Sequence, residues 1–274
     1  MVLSRTDQRF NDAGPSYPRR AMVWIAGVVH LPPLPGSPRW GEDWESVLER
    51  ALRDAKALEE GGVDAIILEN YGDYPFSIRV GPLTVAAMTR ISAEVIKEVS
   101  IEVGISLLRN SAPEAVAVAL TTGATFIRSN QWCWTSDAPE GLLTPVAREA
   151  FEVMRSFGKK VKVVADVRVK HASPISNRSV CDEARDLGGR CMADFLAVSG
   201  SATGQAPSPE DVKLVKRCSG KPVIVASGVT PENAKNFLSA GADGFIVGTY
   251  FKVDGVTENP VDVEKVKRFV STLR

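Results

Sequence analysis

Eight short apolar runs, each followed by a longer amphipathic segment, constrain this chain more than any other feature. The runs are Val23–Val29, Ala65–Leu68, Glu102–Leu107, Ala124–Ile127, Val161–Val167, Asp194–Val198, Pro222–Ala226 and Asp243–Val247. Their richness in Val, Ile and Ala fits parallel strands covered on both faces. The segments Glu45–Glu60, Leu83–Val99, Ala112–Thr122, Leu143–Phe157, Val180–Cys191, Pro209–Cys218, Pro231–Ala240 and Val261–Leu273 carry apolar residues at helical spacing. This alternation predicts an α/β chain with crossover helices. Eight similar units predict a (β/α)8 barrel of the TIM type, and 274 residues at 44% hydrophobic content can fill one. An open doubly wound sheet competes, but it gives no reason for eight units, and no G-x-G-x-x-G follows the first run.

Local signals agree. Gly61-Gly62-Val63-Asp64, Thr122-Gly123-Ala124-Thr125 and Ala240-Gly241-Ala242-Asp243 each end a helix on glycine and enter the next strand at once. Ser208-Pro209 and Thr230-Pro231 each place a capping residue before a proline at the first helical position. Residues 22–274 are expected to form one domain. Residues 1–21 are polar, lack the apolar stretch of a secretory signal and are expected to be a flexible extension. No apolar run approaches the roughly 18 to 20 residues of a membrane-spanning helix.

The 33 basic and 33 acidic residues balance, which leaves no field for nucleic acid or an anionic membrane surface. Cys133, Cys181, Cys191 and Cys218 form no C-x-x-C pair and lie near no histidine. Their scatter argues against zinc and against a disulfide framework, so reduced thiols and a cytoplasmic location are expected.

In such a barrel the working face lies at the C-terminal strand ends, and phosphate is often held by the loops after strands 7 and 8. Here those loops carry Ser227-Gly228-Val229-Thr230 and Gly248-Thr249. Glycine there would open the backbone N–H groups to an anion, and a short helix near Thr249 would add its dipole. The turn Ser199-Gly200-Ser201-Ala202-Thr203-Gly204 after strand 6 is placed to close over the same anion.

The other strand ends are polar. Asp166 and Lys170 follow one face of strand 5, together with Lys162, Val164 and Arg168. Asp166 is a candidate general base and Lys170 a candidate stabiliser of negative charge; a structural ion pair is the alternative. A Schiff-base role for Lys170 has no support in the sequence, because nothing there shows the lysine desolvated. Glu69 is a second acid–base candidate, and Asn70 and Asp73 beyond strand 2 are candidate substrate ligands. His30 and His171 follow strands 1 and 5, where they serve either the substrate or the fold. Arg109-Asn110-Ser111 ends strand 3, and Arg128-Ser129-Asn130 ends strand 4, with Arg128 and Asn130 as candidate substrate ligands. The carboxylates are compatible with a magnesium ion, although the sequence requires no cofactor. Trp132 and Trp134 are either core residues or a stacking wall.

Several long motifs occur in order: Gly27-Val28-Val29-His30-Leu31-Pro32-Pro33-Leu34-Pro35-Gly36-Ser37-Pro38, the segment Glu69–Phe76, Asp166-Val167-x-Val-Lys170-His171, the Ser199–Gly204 turn, and Ser227-Gly228-Val229 with Gly248-Thr249. From about Trp24 onward the chain resembles the BtpA family, which includes SgcQ-like proteins. The resemblance implies a phosphate-binding TIM barrel. Some members are linked to photosystem I biogenesis and others accompany sugar-utilisation proteins. It departs from the family pattern at Ser111, where relatives carry Asp, and in the loop Gln131–Thr144.

The expectation is an enzyme acting on a small phosphorylated metabolite by isomerase- or lyase-type proton transfer. Asp166 would be the base, with Glu69, Lys170 or His171 as acid or charge stabiliser. The alternative is a non-catalytic assembly factor for a membrane complex such as photosystem I. Expected partners are a phosphorylated ligand and no nucleic acid, with homo-oligomerisation left open.

Overall fold

A computed structural model of the protein describes residues 23–41 and 43–274. The extension expected over 1–21 lies outside these residues. Eight parallel strands close into a barrel: β1 Trp24–His30, β2 Ala65–Glu69, β3 Glu102–Ser106, β4 Phe126–Ser129, β5 Lys162–Asp166, β6 Phe195–Ser199, β7 Val223–Ala226 and β8 Gly244–Val247. They pair in chain order, and β8 returns to β1 with Trp24 opposite Gly244. Around them run α1 Trp44–Glu60, α2 Pro82–Glu98, α3 Ala112–Thr122, α4 Ala147–Phe157, α5 Val180–Gly188, α6 Pro209–Ser219, α7 Pro231–Ser239 and α8 Val263–Leu273. The fold is a (β/α)8 barrel.

Strand alternation separates two apolar regions. Ala26, Val28, Ala65, Ile67, Phe126, Val164, Ala197, Ile224, Ala226 and Ile246 pack inside the barrel. Ile25, Val29, Ile66, Leu68, Val163, Ala165 and Val225 face the helices. One step above the inner layer, the same alternation aims His30, Glu69, Ser106, Arg128, Asp166 and Ser199 into the barrel mouth. The helix-to-strand glycines behave as expected, with positive φ at Gly62, Gly123 and Gly241. Ser208 caps α6 by accepting a hydrogen bond from the Asp211 N–H, and Pro231 opens α7.

Three local expectations need correction. First, α4 begins at Ala147 rather than Leu143, because the preceding loop folds into an antiparallel hairpin, Ser136–Ala138 with Gly141–Leu143. Ser173–Pro174, from the loop after β5, adds to its edge. Second, β5 stops at Asp166, so the alternation does not carry Arg168 inward. Arg168 turns outward and donates from Nε to Glu183 Oε2 of α5 at 3.1 Å. Third, all four cysteines are oxidised: Cys133 bonds Cys191, and Cys181 bonds Cys218. Sequence separations of 58 and 37 residues hid both pairs. The barrel brings the loop after β4 beside the segment entering β6, and it places α5 against α6. The expectation of reduced thiols from cysteine scatter is therefore corrected. Among the described residues, no helix is long and apolar enough to cross a membrane.

Candidate functional site

At the C-terminal end of the barrel, the β7 and β8 loops border a cavity of about 210 Å³. Ser227, Gly228, Val229, Thr230, Gly248 and Thr249 line one side; His30, Glu69, Tyr71, Arg128 and Lys170 line the other. Ser227 holds φ 92° and Gly228 φ 61°, so two successive residues sit in the left-handed region. For a serine this conformation is costly, and such strain concentrates at functional sites.

The two glycines do work that their sequence positions did not reveal. A Cβ on Gly228 would lie 2.2 Å from the Ala206 amide nitrogen, and one on Gly248 would lie 2.7 Å from His30 Cε1. Glycine thus lets the β7 loop rest on the β6 loop and lets the imidazole enter the mouth. Asn233 of α7 secures the first contact, donating from Nδ2 to the Gly228 carbonyl at 2.8 Å and accepting the Thr230 N–H at 2.9 Å. Beyond β8 the chain makes a 3-10 turn, Thr249–Phe251. Lys252, which follows it, is fully buried and reaches Asp54 of α1, Nζ to Oδ2 at 3.3 Å. Asp54 Oδ1 also accepts the Val261 N–H at 3.1 Å. This pair fixes the β8 loop from behind.

A second cavity, about 360 Å³, adjoins the first and shares Glu69, Tyr71, Arg128, Lys170 and Thr203 with it. Its remaining wall includes Tyr74, Phe76, Arg109, Asn130, His171 and Glu258. Arg128 spans the boundary, its guanidinium held by Asp166 through Nε–Oδ1 and Nη2–Oδ2 contacts of 3.1 Å each. Asn130 donates a third hydrogen bond to Asp166 Oδ2 at 3.1 Å. Three donors leave this carboxylate little acceptor capacity, and Asp166 lines neither cavity. Glu69 is freer: Oε2 accepts from Ser106 Oγ at 2.9 Å, and Oε1 stands 3.8 Å from His30 Nε2.

Burial, and then the positive charges of Lys252, Lys170, Arg128 and Arg50, hold His30 well below the usual imidazole pKa. Its ring is neutral at pH 7, and its Nδ1 is buried without a partner. Lys170 donates from Nζ to Ser227 Oγ at 2.7 Å. Burial and the nearby Arg128 bring its pKa down to about 8, although Asp166 and Glu69 oppose the shift.

The other predicted residues fall around this centre. Thr203 and Gly204 line the first cavity, whereas Gly200 packs against Gln205, whose carbonyl oxygen would lie 2.3 Å from a Cβ there. His171 Nε2 stands 3.4 Å from Thr203 Oγ1. Asn70 and Asp73 line neither cavity. Asn70 Nδ2 donates to Asp73 at 3.0 Å, and Asp73 accepts the Leu34 N–H at 2.8 Å, joining the loops after β1 and β2. Burial raises the Asp73 pKa. Ser111 also lies outside both cavities and accepts the Val80 N–H at 2.9 Å. Trp132 is fully buried and donates from Nε1 to the Cys191 carbonyl at 2.7 Å, so it builds core rather than a stacking wall. Among the described residues, no three His, Cys, Asp or Glu side chains converge as metal ligands.

Arg109, Tyr71 and Glu258 were not singled out as ligands by sequence reasoning. Arg109 Nη2 donates to the Lys170 carbonyl at 2.8 Å, and its Nη1 donates to Asn130 at 3.2 Å. Its place directly after strand 3 was the available signal. Tyr71 sits edge-on to His30, 4.9 Å between centroids.

A model of the BtpA family matches residues 22–274. The chain belongs to the BtpA family. An uncharacterized protein of Pyrococcus furiosus is 44% identical over 90% of this chain and 93% of its own length. The Photosystem I biogenesis protein BtpA of Synechocystis is 39% identical over 91% of this chain and 87% of its own. Among solved structures, (S)-3-O-geranylgeranylglyceryl phosphate synthase of Thermoplasma acidophilum, bound to sn-glycerol-1-phosphate, superposes with a TM-score of 0.58 at 18% identity, covering 93% of this chain and 94% of that one. N-(5'-phosphoribosyl)anthranilate isomerase of Pyrococcus furiosus reaches 0.56 at 18% identity, covering 92% and 98%. These two structures share the barrel with this BtpA-family chain.

Proposed function

We propose that this BtpA-family protein is an enzyme that binds a small phosphorylated metabolite and moves a proton beside its carbonyl group, as isomerases and lyases do. The carrying observation is the single cavity that joins the Ser227–Thr230 and Gly248–Thr249 loops to Glu69, Arg128 and Lys170. In this reading the glycine loops hold the phosphate. Glu69 is the base and Lys170 stabilises developing negative charge. Asp166, which the sequence suggested as the base, acts by positioning Arg128. Solved barrels of like fold whose names include phosphate esters add support by analogy.

The test is a thermal-shift series with glycerol 3-phosphate, ribose 5-phosphate and their unphosphorylated parents. Only the esters are expected to raise Tm, by an amount equivalent to about 2.7 kcal/mol at a hundred times Kd. The absence of any ester effect would overturn the reading. It would also favour the assembly role suggested by the Synechocystis relative's name, which predicts a protein partner without turnover.

A further inference from the structure

We propose that Lys170 is a carbonyl-attacking amine, so that the substrate class is a phosphorylated aldehyde or ketone held as an iminium on its Nζ. This rests on the phosphate reading above and names the chemistry within it. Lys170 lines both cavities and reaches across the mouth from the β5 end to Ser227 on the β7 loop. It therefore stands where the cradle gives way to the room left for the rest of a ligand.

Its partner is a hydroxyl, whose oxygen accepts from the ammonium and whose proton can be donated to the neutral amine. No carboxylate hydrogen-bonds this ammonium, and Asp166 and Glu69 favour it only from a distance. Arg128 and Arg109 crowd the same space and disfavour the ammonium. With a pKa of about 8, roughly a quarter of the side chain is the nucleophilic free amine at pH 7.5, against about a thousandth for an ordinary lysine.

The step balances without any oxidant or reductant. The Nζ lone pair attacks the carbonyl carbon, the C=O π pair moves to oxygen, and a proton passes from the now cationic nitrogen to that oxygen to give a neutral carbinolamine. A second protonation releases that oxygen as water while the nitrogen lone pair forms C=N. Protonated amine plus carbonyl thus becomes protonated iminium plus water. Glu69 then removes a proton from the neighbouring carbon, and those electrons enter the iminium to give an enamine. Glu69 opens to the same two cavities, and the neutral His30 ring lies beside it.

The experiment traps the iminium in the full chain with sodium cyanoborohydride. Glyceraldehyde 3-phosphate and dihydroxyacetone phosphate are the probes, with glyceraldehyde and dihydroxyacetone as matched controls, and peptide mass mapping is the readout. One adduct is expected, on Lys170, forming at least tenfold faster with the phosphorylated probes than with the controls. Its rate should rise with pH toward a plateau above about pH 8. Lys170→Met and Lys170→Arg should lose the adduct while keeping the circular dichroism of the wild type. Equal rates for both probe sets, labelling spread over surface lysines, or no adduct would overturn the proposal. If glycerol 3-phosphate still stabilises the wild-type protein in that case, Lys170 is an electrostatic clamp and the phosphate reading stands. If it does not, both readings fall.

Discussion

Lys170 and Lys252 are both withdrawn from solvent and both have a pKa brought down to about 8, yet their surroundings differ in kind. Lys252 lines neither cavity and faces the Asp54 carboxylate, which also holds the Val261 N–H. It is a peg between α1 and the β8 loop. Lys170 opens to two cavities, has a hydroxyl for a partner, and shares its space with two arginines. Desolvation alone does not mark a reactive lysine; the nature of its partner and its access to an open cavity do.

The widest gap between the two should appear on removing their partners. Asp54→Ala leaves a buried ammonium uncompensated and is expected to cost about 3–5 kcal/mol in chemical denaturation. Ser227→Gly removes the partner of Lys170 but relieves a left-handed serine, so its stability change should stay within about 1 kcal/mol. Equal losses would erase the distinction between peg and reactive group.

A smaller effect lies in the pH dependence. Each lysine, with a folded pKa of about 8 against an ordinary 10.5, binds fewer protons folded than unfolded between those values. Stability should rise with pH across that window, and the gain is lost as pH falls through about 8. Lys170→Met should flatten the rise by about 1–3 kcal/mol between pH 8 and 10.5, because one pKa unit corresponds to about 1.4 kcal/mol. An unchanged slope would place Lys170 in water.

The smallest effect concerns His30, which enters the same electrostatic field. Its folded pKa is depressed, so its contribution is complete above about 6.5 and fades as pH falls below that. His30→Asn should lose less stability than the wild type on acidification from pH 6.5 to 5, as read by Tm. Parallel curves would mean that the ring protonates freely.

The periodicity of the chain carried most of the barrel. Alternation along β5 placed Asp166 inside, and the eight runs located every barrel strand to within a few residues. It failed where pattern ceases to be local. The Arg128–Asp166 pairing joins residues 38 apart, and only the closed sheet shows that this carboxylate is already occupied. The 131–144 hairpin consists of two three-residue strands, too short for any period to register. The cysteine pairs depended on which loops and helices became neighbours. Ser111 looked like a group lost from the mouth, but its hydroxyl faces the Val80 amide. Glycines 228 and 248 follow β7 and β8 as the sequence placed them, and their nearest obstacles are Ala206 and His30, which only the folded chain shows.

The pairing of β8 with β1 has a consequence for how the site comes into being. Glu69 enters on the second strand and Gly248 follows the last, so no half of the chain contains a working mouth. Pairing of Trp24 with Gly244 spans 220 positions, and contacts of such range form late because they enclose so much chain. Closing the barrel and assembling its chemistry are therefore one event.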